Sequence, residues 1–410
     1  MAATRFFHGW IVVAAAHVVM GVIYGVTYSF AAFFADLQAA FGATRGDVSA
    51  IFSLSGFLYF ALGALSGPLA DRFGPRPMAL VGIALIAGGL LLAAGARTLW
   101  QVYVGLGVGL GLGVGFAYVP AIACVQRWFL RRRGSASGIA VAGIGVGNPL
   151  FPPLAAWLIE LGGWRAAYWQ LALIAAAVGG GAAMFLAASP QARGLLPDGE
   201  RAGHPNAARV VALPLPGTSL SAALRSRAFC LLYLGALANS FGLFVPMAHL
   251  AAYAGDHGIA DHRAVWLVSL IGIGSTVGRF AFGPIADRLG RRRGMALMFA
   301  GMAAMQLWWL GSSVFWALGL FALAFGAFYG GFVALAPSLT ADYFGPRAIS
   351  GIIGVLYTSV ALGTGLGPLT AGVAFDLSGS YTAPILIGVT GSVIACVCYL
   401  ALKEPAPQRG

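Results

Sequence analysis

Hydrophobic residues in this chain do not alternate with polar ones at a strand or surface-helix period; they run in long stretches parted by short polar loops. About 20 apolar residues rising ~1.5 Å each cross a hydrocarbon layer about 30 Å thick. Twelve stretches of that kind are predicted as spanning helices, near 10-36, 47-70, 77-96, 98-126, 135-160, 164-188, 227-255, 262-286, 294-312, 314-341, 348-375 and 381-402. A closed β-barrel would show short segments of alternating hydrophobicity, so the expected fold class is an all-α membrane protein. The first stretch begins about ten residues in and lacks a small-residue cleavage site, and it reads as a retained helix.

Composition agrees: hydrophobic residues make up 60% of the 410 and charged residues 9%, with a mean hydropathy of +0.86. The net charge of +12 would suit a nucleic-acid binder, but its distribution argues for a bilayer and no nucleic acid. Arg72, Arg76, the Arg131-Arg132-Arg133 run, Arg288 and the Arg291-Arg292-Arg293 run fall in alternate loops, on one side with both termini. The other loops hold Arg45, Arg97, Arg165 and Arg263. The excess of arginine predicts that both termini are cytoplasmic, with an even number of spans. Abundant Arg, Ala and Gly with Lys403 as the sole lysine point to a GC-rich bacterial genome, hence a cell inner membrane. The four cysteines, Cys124, Cys230, Cys396 and Cys398, all sit in apolar helices and form neither a disulfide frame nor a metal site.

Residues 189-226 break the apolar pattern with Pro190, Pro197, Pro205, Pro214 and Pro216 among Ser, Gly, Ala and Arg. They predict a cytoplasmic linker between two six-helix bundles, 1-188 and 227-410. The halves repeat: Gly67-Pro68-Leu69-Ala70-Asp71-Arg72-Phe73-Gly74 returns as Gly283-Pro284-Ile285-Ala286-Asp287-Arg288-Leu289-Gly290, an offset of 216 from 71 to 287. Parallel repeats of this kind place a substrate path between two bundles. The two segments resemble the loop signature of the major facilitator superfamily, which implies that fold along the whole chain. Asp71, Arg72, Asp287 and Arg288, at cytoplasmic helix ends, are the candidates for a latch that holds the halves in one state and releases them in another.

A narrower resemblance follows from Arg127-Trp128-Phe129-Leu130-Arg131-Arg132-Arg133-Gly134-Ser135-Ala136-Ser137-Gly138, which is similar to the aromatic-basic-glycine signature of the monocarboxylate transporter family. His8-Gly9-Trp10 resembles that family's opening of the first helix, usually with Tyr in place of His, and Gly163-Trp164-Arg165 its sixth. Ser269-Leu270-Ile271-Gly272 with Arg279 and Gly283 resembles its eighth, whose arginine binds the substrate carboxylate. The family's animal members place an aspartate one turn before that arginine; here the position is Ser275. The related oxalate/formate exchangers add a lysine in the eleventh helix, and residues 348-375 contain none.

Arg279 also stands out on its own residues. It is eight positions from Asp287 in an apolar stretch, roughly 12 Å along a helix, too far for an easy ion pair. A guanidinium in hydrocarbon costs about 2.5 to 3.5 kcal/mol even on lenient scales, so a partner or ligand must match it. Its planar fork suits a carboxylate, and a single buried cation suits a monoanion such as lactate, pyruvate, acetate or formate. Tyr24, Tyr28, Tyr118, Tyr329, Tyr357, Asn148 and Asn239 are the mid-helix polar groups expected to face the same cavity. Asp256 and His249 are the candidates for carrying a proton. The alternating glycines from Gly105 to Gly115 follow no strand, so they allow close helix packing instead of cradling a nucleotide.

The expected protein is therefore a proton-coupled symporter of a small monocarboxylate, working by alternating access as a monomeric unit without ATP or any cofactor. An organic anion exchanger is the nearest alternative. Multidrug efflux would favour an acidic cavity group, a membrane sensor would need a signalling domain, and no catalytic constellation is present.

Overall fold

The computed structural model describes residues 7–43, 45–199, 216–259 and 261–403, all helix and loop. In chain order the helices are α1 (Gly9–Tyr28), α2 (Phe30–Phe41), α3 (Arg45–Ala61), α4 (Gly63–Phe73) and α5 (Pro75–Ala94). α6 (Leu99–Trp128) and α7 (Arg133–Ala183) follow. After the linker come α8 (Arg227–Leu243), α9 (Val245–Asp256), α10 (Asp261–Leu289), α11 (Arg291–Leu310), α12 (Phe315–Phe344), α13 (Ile349–Ser378) and α14 (Thr382–Leu400).

Among the described residues nine helices are long and apolar enough to cross a membrane, or ten when α3 and α4, bent by 47°, count as one span. The twelve expected runs map onto this set. Two of them, 135-160 and 164-188, fall in α7, whose 51 residues are broken at Gly163, where φ is 77°. That left-handed backbone suits glycine and lets the chain reverse between two helices. The ninth run is α11, whose three leading arginines dilute its hydropathy. The first and seventh runs are each interrupted once, at Ser29 and at Phe244. Ser29 Oγ donates back to the Val26 carbonyl at 2.7 Å, and Pro246 removes a backbone donor at the start of α9.

Apolar side chains gather into two clusters. The first joins α1, α2, α3, α5, α6 and α7 and takes in Ile349, Ile353, Tyr357 and Val360 of α13. The second joins α8 through α14. The halves meet where glycines permit backbone contact: Gly63 against Gly354 and Gly67 against Ser350 on α4 and α13, and Gly138 against the Arg279 carbonyl and Gly134 against Gly283 on α7 and α10. These two crossings are images of each other under the same shift of 216, 67 to 283 and 134 to 350. Gly67 and Gly283 of the repeated segment are thus packing positions, since a Cβ on either would overlap the facing backbone.

Both described ends of the chain lie at the Asp71 and Asp287 end of the bundle. Phe7 packs on Trp128 and Phe129, and Arg292 donates to the Leu402 carbonyl. Residues 200–215 of the linker, with Pro205 and Pro214, lie outside the described residues. Its near part touches the first half, where Asp198 accepts from the amides of Leu130 and Arg131, both at 2.9 Å. Its far part touches the second, where the Thr218 amide donates to the Phe344 carbonyl at 2.8 Å.

Candidate functional site

Glycines on α10 and α12 bring the two central side chains together. Gly274 and Gly278 lie against the Leu323 and Ala327 carbonyls, and Gly326 and Gly330 against those of Ile271 and Ser275, so neither helix tolerates a Cβ there. That close packing puts Tyr329 beside Arg279, with the guanidinium carbon 6.0 Å from the ring centroid, within cation–π reach. Arg279 is 5% exposed. Its Nε is buried without a hydrogen-bond partner, and no carboxylate pairs with it among the described residues.

Arg279 borders two connected compartments. The inner chamber holds about 50 Å³ and is walled by aromatic rings, Tyr24, Tyr28, Tyr59, Tyr118 and Tyr357 among them. The outer vestibule, about 650 Å³, shares Arg279, Tyr28, Tyr59 and Tyr329 with the chamber and extends past Asn148, Ser275 and Pro368. Gly56 on the vestibule wall and Asp71 are fifteen residues apart along α3 and α4, roughly 20 Å at helical rise. The vestibule therefore lies well away from the Asp71 and Asp287 end.

Within the chamber the rings form one connected array. Tyr24 stacks on Tyr28 at 6.1 Å and meets Tyr59 and Tyr118 edge-on at 5.8 and 5.5 Å. Tyr118 of the first half lies parallel to Tyr357 of the second, 5.6 Å apart at 17°, with their hydroxyls 3.3 Å apart.

The structure brings six of the eight expected cavity residues, Arg279, Tyr24, Tyr28, Tyr118, Tyr329 and Tyr357, to the chamber and a seventh, Asn148, to the vestibule. Asn239 is not among them. It is buried between α8, α11 and α14, where its Oδ1 accepts from Ser392 at 3.0 Å and Ser392 in turn reaches Gln306. A polar side chain in an apolar helix can bond a neighbour instead of facing a cavity, and here Ser392 takes up the Asn239 oxygen while its Nδ2 is buried without a partner. Asn239→Leu should accordingly leave carboxylate affinity within about twofold while lowering Tm by a few degrees through loss of one buried bond, measured by uptake and thermal unfolding in detergent. A tenfold loss of affinity would return Asn239 to the site.

Tyr59 was missed by sequence reasoning. Phe52, Gly56 and Tyr59 share a face of α3 at helical spacing and all line the vestibule, so a periodicity search over polar aromatics would have found it. Of the proton candidates, Asp256 is exposed at the end of α9, away from both compartments. His249 is half-buried behind the vestibule wall, with Nε2 3.0 Å from the Pro368 carbonyl and Nδ1 3.3 Å from the Tyr381 hydroxyl. Ser275, one turn before Arg279, lines the vestibule with its hydroxyl buried and unpartnered.

At the opposite end Asp71 and Asp287 each reach across to the other half. Asp287 accepts from the Gly134 and Ser135 amides at 2.9 and 2.8 Å, at the start of α7. Asp71 accepts from the Ser350 and Gly351 amides at 3.1 and 2.8 Å, at the start of α13. Helix N-termini attract carboxylates because their amides and dipole point outward. Arg72 and Arg288 are exposed and face no acid among the described residues. The arginines that complete these contacts are Arg127, paired with Asp71, and Arg291, which joins Asp287 to Asp342. Arg133 bonds the same Asp342 at 2.8 Å.

A central cavity between two glycine-crossed helical bundles, with a buried unpaired arginine, defines a membrane carrier. The chain belongs to the major facilitator superfamily, whose family model matches residues 16–260 and 232–410, and within it to the monocarboxylate transporter family. Monocarboxylate transporter 3 of Rattus norvegicus is 30% identical over 97% of this chain and 82% of its own. Monocarboxylate transporter 11 of Homo sapiens is 28% identical over 98% and 84%. Among solved structures, the human organic anion transporter MFSD10 shares the fold at a TM-score of 0.73 and 18% identity, covering 96% of this chain and 99% of that one. FucP in its outward conformation does so at 0.74 and 16%, with the same coverage. The protein is thus a multi-pass membrane transporter and not an enzyme.

Proposed function

We propose that the protein carries a small monocarboxylate of the lactate or pyruvate kind, together with a proton, across a bacterial inner membrane. The observation that carries this reading is Arg279, a buried guanidinium facing a cavity with no carboxylate to neutralise it among the described residues. Its fork can take two oxygens of a carboxylate, and bidentate charged hydrogen bonds are the strong ones. The inner chamber supports a small substrate: at roughly 12 to 15 Å³ per water-sized body it has room for about four. Tyrosine hydroxyls around it can hold a second oxygen.

In this reading the two bundles, 1-188 and 227-410, rock about the site while the linker 189-226 joins them. The end closed by Asp71 and Asp287 is cytoplasmic by the positive-inside rule, so the conformation faces outward and one chain forms the transport unit. His249 takes the proton, since it is the imidazole nearest the vestibule wall, and its two nitrogens bridge α9 to α13 and Tyr381.

Anion exchange is the second reading, favoured by one observation: among the described residues no carboxylate or imidazole itself lines either compartment. Proteoliposome uptake separates them. Symport requires that an inward proton gradient accelerate uptake of labelled lactate by at least fivefold with no anion inside, and that His249→Gln abolish this acceleration. Uptake only into vesicles preloaded with anion establishes exchange and ends the symport reading.

A further inference from the structure

The hydroxyl pair at the base of the chamber has a geometry that does more than line it. Tyr118 comes from α6 in the first half and Tyr357 from α13 in the second, both at most 6% exposed. Their rings lie face to face and their oxygens 3.3 Å apart, so one hydroxyl donates to the other across the junction of the halves. Arg279 borders the same chamber. Beyond the pair, in the direction of the closed end, the halves touch through backbone at Gly63 with Gly354 and then through Asp71 with Ser350 and Gly351. The Tyr118–Tyr357 pair is therefore a hydrogen bond between the halves in the wall of the chamber that Arg279 borders, on the side toward the closed end.

Two hydroxyls bonded to each other hold two hydrogens but use one between them, leaving the second hydrogen free. A third oxygen placed beside them can accept from both, and then neither needs the other. A carboxylate held in the Arg279 fork carries such an oxygen when its adjacent carbon bears a hydroxyl or a keto group, because Arg279 and both tyrosines wall the same chamber of about 50 Å³. A plain alkyl acid of the same length presents a methylene there, and the pair stays bonded.

We infer that Tyr118 and Tyr357 form an inner gate opened by the substrate's own 2-oxygen, so that the carrier selects 2-hydroxy and 2-oxo acids over plain alkyl acids at the transport step. This rests on the carboxylate reading of Arg279. Nothing covalent changes; one hydroxyl–hydroxyl bond is exchanged for two hydroxyl–substrate bonds, and the direct tie between the halves is replaced by one through the substrate, which breaks when the substrate moves on. Tyr118 and Tyr357 contact the substrate and set which bound acid lets the bundles separate.

Lactate and propionate test this, since they differ only in the 2-hydroxyl. In proteoliposomes the wild-type protein is expected to transport lactate at least fivefold faster than propionate at saturating concentration, with similar half-saturation. Tyr357→Phe and Tyr118→Phe each remove one oxygen and keep the stacked ring. Each should bring the ratio of maximal rates to within twofold, mainly by speeding propionate. The double variant should add little, because the pair acts as one bond. A change confined to half-saturation, or a ratio unchanged in both single variants, overturns the gate. So does a wild-type protein that moves the two acids equally fast. Arg279→Lys, run alongside, isolates the underlying reading: undiminished uptake of both acids there would end the carboxylate assignment, whatever the ratio.

Discussion

Arg279→Lys should lower the apparent affinity for lactate by about ten- to a hundredfold, and Arg279→Gln should abolish measurable accumulation. The lysine keeps the charge but replaces a planar two-pronged donor by a point ammonium, so one of two charged hydrogen bonds is lost, worth about 1.5 to 3 kcal/mol. Glutamine loses the charge as well, and the carboxylate would then enter a buried aromatic chamber uncompensated, at a cost of several kcal/mol. Neither change should unfold the protein. Arg279 has no ion-pair partner among the described residues, so its removal leaves no orphaned acid there, and a neutral side chain in a buried position relieves a desolvation cost. Thermal stability in detergent equal to or above wild type, together with lost uptake, is the expected pair of results. If Arg279→Gln accumulated lactate normally, the arginine would be a structural residue and the substrate class would have to be sought again.

Helix existence was legible from sequence because hydrocarbon imposes it: 12 apolar stretches had to be helices, and the structure holds every one. Their interruptions were less visible. Ser29 and Phe244 break spans with no change in hydropathy, since a serine that bonds its own helix and a phenylalanine ahead of a proline are both apolar enough to pass. Helix facing was the weakest part. In a soluble bundle the polar face marks the outside, whereas in a bilayer the lipid side and the packed side are both apolar, so periodicity vanishes. Asn239 was therefore assigned to the cavity on chemistry alone, and Tyr59 was overlooked although it stands on the same face as Gly56. The repeated Asp71 and Asp287 were legible as a pair. Their partners were not, because Ser350, Gly351, Gly134 and Ser135 contribute backbone amides, which no side-chain motif announces. Arg133 and Asp342 meet from positions 209 residues apart, a closure that only the fold reveals.

Those two aspartates carry the second large effect. Asp287→Ala removes an acceptor that serves the Gly134 and Ser135 amides, the Ser135 hydroxyl and Arg291 at once. The carboxylate is 12% exposed, so solvent replaces only part of what is lost. Charged hydrogen bonds contribute about 1.5 to 3 kcal/mol each and do not add fully, and a net loss of about 3 kcal/mol would shift the balance between the two facing states by roughly a hundredfold. The part of that loss due to Gly134 and Ser135 falls on the closed state, because those contacts cross from one half to the other and cannot persist once the halves part, whereas the Arg291 pair lies within the second half. The expected outcome is a protein that rests with its Asp71 and Asp287 end open. A single cysteine in place of Ala336, which lines the inner chamber and is 4% exposed, reports this in a background without native cysteines. Its labelling by a membrane-impermeant thiol reagent from the cytoplasmic side should rise at least tenfold in Asp287→Ala, and Asp71→Ala should act in the same direction through α13. Asp287→Asn should fall between, since an amide oxygen still accepts from the helix terminus but attracts Arg291 far less. Unchanged labelling in both alanine variants would mean that the glycine crossings alone hold this end shut, and that the carboxylates only order the loops.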